Sequence, residues 1–131
     1  MDCTRLAEAL AEARGRQGLF RRALAALEEA GVIRYGEVYW VGENLSLFQL
    51  QACRSNCPSA AHSRTLAQEA LKRGERVEEG SFVALPIGQG GKILAVVVLN
   101  LEEGQKPPEA LPALLLLALK RPGPELTARL L

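Results

Sequence analysis

"FVALPIGQGGKILAVVVLN", residues 82–100, is the stretch on which the fold turns. Its glycines, in Gly88-Gln89-Gly90-Gly91, have two readings. A loop that cradles phosphate runs from a strand into a helix, because the helix N-terminus supplies free N–H groups and the positive end of the dipole. Here "KILAVVVLNL" follows, and its β-branched residues make a strand. The glycine spacing also departs from Gly-x-Gly-x-x-Gly and from the P-loop pattern. The stretch therefore reads as a β-hairpin whose glycines supply turn geometry. Every position of "ILAVVVL" is apolar. That strand is buried on both sides, so the sheet is covered on two faces, or on one face plus a pocket or a partner. Pro86 has no N–H for a ladder and belongs at an edge or a bulge.

Upstream, "SRTLAQEALKR" (63–73) is predicted helical. Ser63 caps its start, Leu66, Ala67, Ala70 and Leu71 form one apolar stripe, and Gly74 suits a left-handed end. Before it come two strands, "GEVYWVG" (36–42) and "LSLFQLQAC" (45–53), joined by a turn at Gly42-Glu43-Asn44. In the second, Leu45 and Leu47 share one face while Phe48, Leu50 and Ala52 share the other; a bulge near residue 47 or 48 accounts for the slip. "RSNCPSAAH" (54–62) is a connecting loop. Residues 4–30 read as helix, with Thr4 at its start and with Leu6, Leu10, Ala13, Phe20, Ala23, Leu24 and Leu27 at helical spacing. Gly15 and Gly18 interrupt it, giving two helices or one bent helix, and Gly31 is its stop. Downstream, Pro112 starts a last helix to about Lys120. Leucines surround that helix, so it must be buried, and a partner subunit is one source of cover.

The 131 residues are read as one domain, 1–131, with a helical segment at 4–30 and a core at 32–120. A net charge of +1 provides no general attraction to nucleic acid or anionic membrane. No basic stripe interleaved with aromatics appears, so no nucleic-acid partner is expected. The N-terminus lacks the apolar core of a secretory signal, and the longest apolar run, 111–119, is far short of the roughly 20 residues of a membrane span. Three cysteines, an odd count, fit a reducing compartment, and the expected location is cytoplasmic.

The order helix, strand, strand, helix, strand pair, helix resembles the GAF domain, a relative of the PAS sensory fold. The resemblance is carried by "TLAQEALKRGERV" (65–77), by "FVALPIGQGGKILAVVVLN" (82–100) and by the acidic, proline-bearing link into the leucine helix, and it covers roughly 20–119. It implies an α+β fold in which a central antiparallel β-sheet carries the N- and C-terminal helices packed on one face. Family members often dimerise through those helices and often sit in signalling proteins. A homodimer through Phe20, Leu24, Leu27, Leu115, Leu116 and Leu119 is the matching expectation. The chain also departs from the family. Only "GERVEEGS" separates the helix from the "ALPI" strand, where many members carry a long lid. The pattern of cyclic-nucleotide-binding members and the Cys-His pair of bilin-binding members are missing. Cys53 and Cys57 do not have the arrangement of members that reduce free methionine sulfoxide.

Cys53, Cys57 and His62 have the spacing C-x3-C-x4-H. A closed zinc site wants four ligands, which only the distant Cys3 completes, so no metal and no cofactor are expected. Arg54 beside the cysteines favours a thiolate, which keeps a small redox enzyme as an alternative. His62, the only histidine, is placed in the loop before the helix, and the only aspartate is Asp2, which argues against a hydrolase triad. The pairs Glu28-Glu29, Glu78-Glu79 and Glu102-Glu103 point apart on any regular element and share no acid–base site. Tyr35, Tyr39 and Trp40 cluster on the first strand, where one face can stack a flat ligand or anchor a core. The expected function is thus a non-catalytic sensory or protein-interaction module. A small-molecule-binding sensor is the alternative, with Trp40, Arg54, Cys57 and His62 as ligand-binding candidates.

Overall fold

In the computed structural model the described residues are 3–11, 15–42, 44, 46–52, 60–89 and 91–120. Helices α1 (Cys3–Ala11) and α2 (Gly15–Glu29) come first, then strands β1 (Ile33–Val41) and β2 (Leu47–Ala52). Helix α3 (Ala60–Arg73) leads into β3 (Val77–Glu79), β4 (Phe82–Gln89) and β5 (Lys92–Leu101), and α4 (Leu111–Lys120) closes the described order. The strands form one antiparallel sheet in the order β2-β1-β5-β4-β3.

The predicted hairpin is β4 and β5, with Gln89 paired to Lys92 and Gly91 in the left-handed region at φ 80°. Gly88 is needed for another reason. A Cβ there would lie 2.2 Å from the Lys92 carbonyl oxygen, closer than any side chain tolerates. Strand β5 is central and buried on both faces, as its uninterrupted apolar run requires: Ala95, Val97 and Leu99 meet one core, Val96 and Val98 the other. Pro86 pairs with Val96, beyond the segment Phe82–Ala84 that β3 covers, so its missing N–H falls where β4 is an edge. The three-residue strand β3 is an element that the sequence reading treats as connection; its short run carries too little periodicity to register.

The N- and C-terminal helices pack on one face of the sheet. Leu6 and Leu10 of α1, Leu19, Phe20, Ala23, Leu24 and Leu27 of α2, and Leu111 and Leu115 of α4 close over Val38, Val83, Leu85, Ile87, Val97 and Leu99. Burying each such aliphatic or aromatic side chain contributes about 1.5–3 kcal/mol. Helix α2 ends in a Schellman turn: Gly31 has φ 75°, its N–H donates to Glu28 O, and the Val32 N–H donates to Leu27 O. Helix α3 covers the opposite face through Leu66, Ala67 and Ala70, against Tyr39, Val77, Ala84, Val96 and Val98. It ends at Gly74, φ 69°, whose N–H donates to Ala70 O.

Several expectations are corrected. Phe20, Leu24, Leu27 and Leu115, expected at a dimer interface, are at most 2% exposed within the chain's own core. Leu116 and Leu119 are half-buried on the same core. The leucine helix is not enclosed all round, because Leu117 is 66% exposed. Thr4 lies inside α1, not before it. Helix α3 starts at Ala60, so Ser63 is an interior residue facing the sheet and His62 is helical. The bulge falls later than expected, at Leu50: Val38 pairs with Gln51 and Tyr39 with Gln49, leaving Leu50 as the extra residue. No described helix is long and apolar enough to cross a membrane.

Candidate functional site

The α3 face of the sheet carries the polar residues of the interior. Register places three cross-strand rows on it. Asn100 of β5 lies between Tyr35 of β1 and Phe82 of β4. In the next row Val98 lies between Glu37 and Ala84, and in the third Val96 lies between Tyr39 and Pro86. Directly opposed residues have Cβ atoms about 4.5–5.5 Å apart, so Glu37 and Asn100 are diagonal neighbours on one face.

Glu37 is 1% exposed. The Tyr39 hydroxyl, two residues along the same face, donates to its Oε2. Its Oε1 has no hydrogen-bond partner, and neither have Oδ1 of Asn100 or Oγ of Ser63. Each such orphan inside a protein costs about 1–3 kcal/mol. Their placement is not scattered, because α3 puts Ser63 over this same face. The residues beside Ser63 fix where. The His62 ring meets Phe82 edge-on, centroids 4.9 Å apart, and its Nε2 lies 3.9 Å from Glu79 Oε1. On the other side, Arg64 donates to the Leu47 carbonyl at 2.7 Å with its guanidinium 5.8 Å from the Tyr39 ring centre. Helix α3 is thus tied to β3 and β4 through His62 and to β1 and β2 through Arg64. Ser63, between them, is buried on the face that α3 covers, the one that carries Glu37 and Asn100. The rings of Tyr35 and Phe82, 6.3 Å apart, flank Asn100.

The predicted ligand residues divide. His62 belongs to this face. Trp40 does not: the strand's alternation turns it to the terminal helices, where it packs half-buried with Val38 and its neighbours. Arg54 and Cys57, with Cys53, lie outside the described residues. Glu78 and Glu79 point apart, as adjacent strand residues must, Glu78 to Arg76 and Glu79 to His62. Among the described residues no group of three His, Cys, Asp or Glu stands ready to hold a metal. Sequence reasoning passed over Glu37 and Asn100 as interior groups and read Ser63 as a cap. The signal for two of them was available: Glu37 interrupts an apolar strand, and Asn100 falls in phase with Val96 and Val98. Elsewhere, a concavity of about 560 Å³ runs beside β3 and β4, lined by Arg76, Glu78, Phe82, Leu101 and Lys106. Its charges are of both signs, and Arg76 is already paired with Glu78, so they converge on nothing.

No family model matches the chain, and no curated protein matches its sequence. Among solved structures it is similar to the GAF domain from Acinetobacter phosphoenolpyruvate-protein phosphotransferase, with a TM-score of 0.63 and 17% identity. The likeness covers 89% of this chain and 85% of that one. The fold is therefore GAF-like: an antiparallel sheet with terminal helices on one face.

Proposed function

We propose that this chain is a non-catalytic sensory module that holds a small polar molecule between α3 and the sheet. The observation that supports this reading is that three buried, unpartnered oxygens, on Glu37, Ser63 and Asn100, all belong to the face that α3 covers. Buried polar groups are almost always satisfied, and a site built for a ligand is where the exceptions gather. The odd cysteine count agrees with a cytoplasmic setting. Native mass spectrometry of the freshly purified chain tests the reading. A discrete extra mass is expected on the folded protein. A bare chain, whose thermal unfolding also ignores a library of small polar metabolites, would remove it.

A second reading concerns assembly, and the exposure of Leu117 on an otherwise apolar helix favours it. Leu117, with the half-buried Leu114 alongside, would seat a second copy of α4 in a homodimer. Sedimentation should then give a dimer for the wild-type chain and a monomer for Leu117→Glu. A wild-type monomer at micromolar concentration would sink this reading.

A further inference from the structure

We infer that the ligand held beneath α3 is a small organic cation carrying a primary ammonium group. The inference rests on the sensor reading above and concerns the chemistry of that same site. Of its three unpartnered atoms, Glu37 Oε1 belongs to a carboxylate that is 1% exposed. A buried charge needs a counter-charge as well as a hydrogen bond. Among the described residues no cation forms an ion pair with Glu37; Arg64 on this face donates to the Leu47 carbonyl and lies over the Tyr39 ring. The Tyr39 hydroxyl serves Oε2 but brings no charge.

The other two atoms narrow the class. Asn100 Oδ1 only accepts and the Ser63 hydroxyl can accept or donate, so the set is three oxygens that can all accept, one of them on a carboxylate. A primary ammonium has three N–H donors and one positive charge, which matches the set in number and in sign. An anion is repelled by Glu37, and of the three atoms only the Ser63 hydroxyl can donate to it. A neutral donor leaves the carboxylate uncompensated. Among the described residues no group of three His, Cys, Asp or Glu is placed to hold a hard metal ion here. The flanking rings of Tyr35, Phe82 and His62 suit the same guest, since aromatic faces attract cations and cover an alkyl chain. All three oxygens are covered by protein. Binding therefore requires the first turns of α3 to shift from the sheet, which couples occupancy to the position of a helix.

The test uses the purified full chain and three probes of similar size: n-propylammonium chloride, n-butanol and sodium butyrate. Each is added at millimolar concentration against sodium chloride of equal ionic strength, with the thermal unfolding midpoint and calorimetric titration as readouts. Propylammonium should raise the midpoint and the other two should not. Glu37→Gln, which keeps the shape and removes the charge, should weaken propylammonium binding by about tenfold or more. Ser63→Ala should weaken it a few-fold. If Glu37→Gln does not fold, the contrast among the three probes on the wild-type chain still decides. An equal response of wild type and Glu37→Gln overturns the inference. Binding of butyrate or butanol in place of propylammonium overturns it too, while leaving the sensor reading standing. A native-mass adduct with no response to propylammonium has the same meaning. No adduct and no response to any probe removes both.

Discussion

The two faces of the sheet are built on opposite rules. Under α1, α2 and α4 the buried cluster runs from Leu6 to Leu115 and, among the described residues, includes no buried polar side chain. Under α3 the contact is smaller, made by Leu66, Ala67 and Ala70, and the same face holds a carboxylate, an amide and a hydroxyl with unpartnered oxygens. One face collects the hydrophobic stabilisation. The other gives part of it up, at about 1–3 kcal/mol for each orphaned atom. A fold tolerates such a loss where it serves a site, and under the proposed reading the contrast separates the scaffold from the working surface within one layer of backbone.

Two substitutions attack the scaffold side of that contrast. Phe20→Ala removes a ring that is 0% exposed at the centre of the α2 contact. Loss of about 3–5 kcal/mol is expected, read as a lower midpoint in urea at unchanged slope. A loss below 1 kcal/mol would mean that this face is not the main source of stability. Gly36→Ala should follow at about 1–3 kcal/mol. Its Cβ would stand 2.7 Å from Leu24 Cδ2 and 3.0 Å from Leu99 Cδ2, so α2 must lift from β1 or Leu24 must leave its rotamer. A companion Leu24→Ala should remove most of the added penalty, which a double-mutant cycle measures directly.

The scaffold was the legible half. The hairpin at 82–100, the α3 stripe and the terminal leucines all rest on periodicity, which survives in a single sequence. The α+β arrangement, with terminal helices on one face, follows from them and from the family resemblance. The site was poorly legible because its parts are distant in sequence and become neighbours only through register. Glu37 and Asn100 meet because Tyr35 pairs with Asn100 and Glu37 with Val98, and Arg34 slips the ladder between Ile33 and Tyr35. Ser63 was misread because a serine before an apolar stripe has the pattern of a cap. The helix begins three residues earlier, at Ala60, and the hydroxyl turns inward. Trp40 stands apart for the opposite reason: an aromatic near two tyrosines invites grouping, yet strand alternation sends it to the other face.

Ser63→Ala is the smallest expected effect and the one that separates the two faces by sign. On the scaffold face every truncation should destabilise. Here the substitution deletes an unpartnered hydroxyl that is 1% exposed and puts alanine, the best helix former, inside α3. Relief of the orphaned oxygen and the gain in helix propensity act together, against only a small void from one lost atom. A net stabilisation of about 1 kcal/mol is expected, seen as a rise of roughly 3–6 °C in the unfolding midpoint. The same variant should hold its ligand less well, so stability and binding move in opposite directions at one atom. Destabilisation of 1 kcal/mol or more would show that the hydroxyl is satisfied in the folded chain. The α3 face would then be an ordinary second core, and the contrast between the faces would lose its functional meaning.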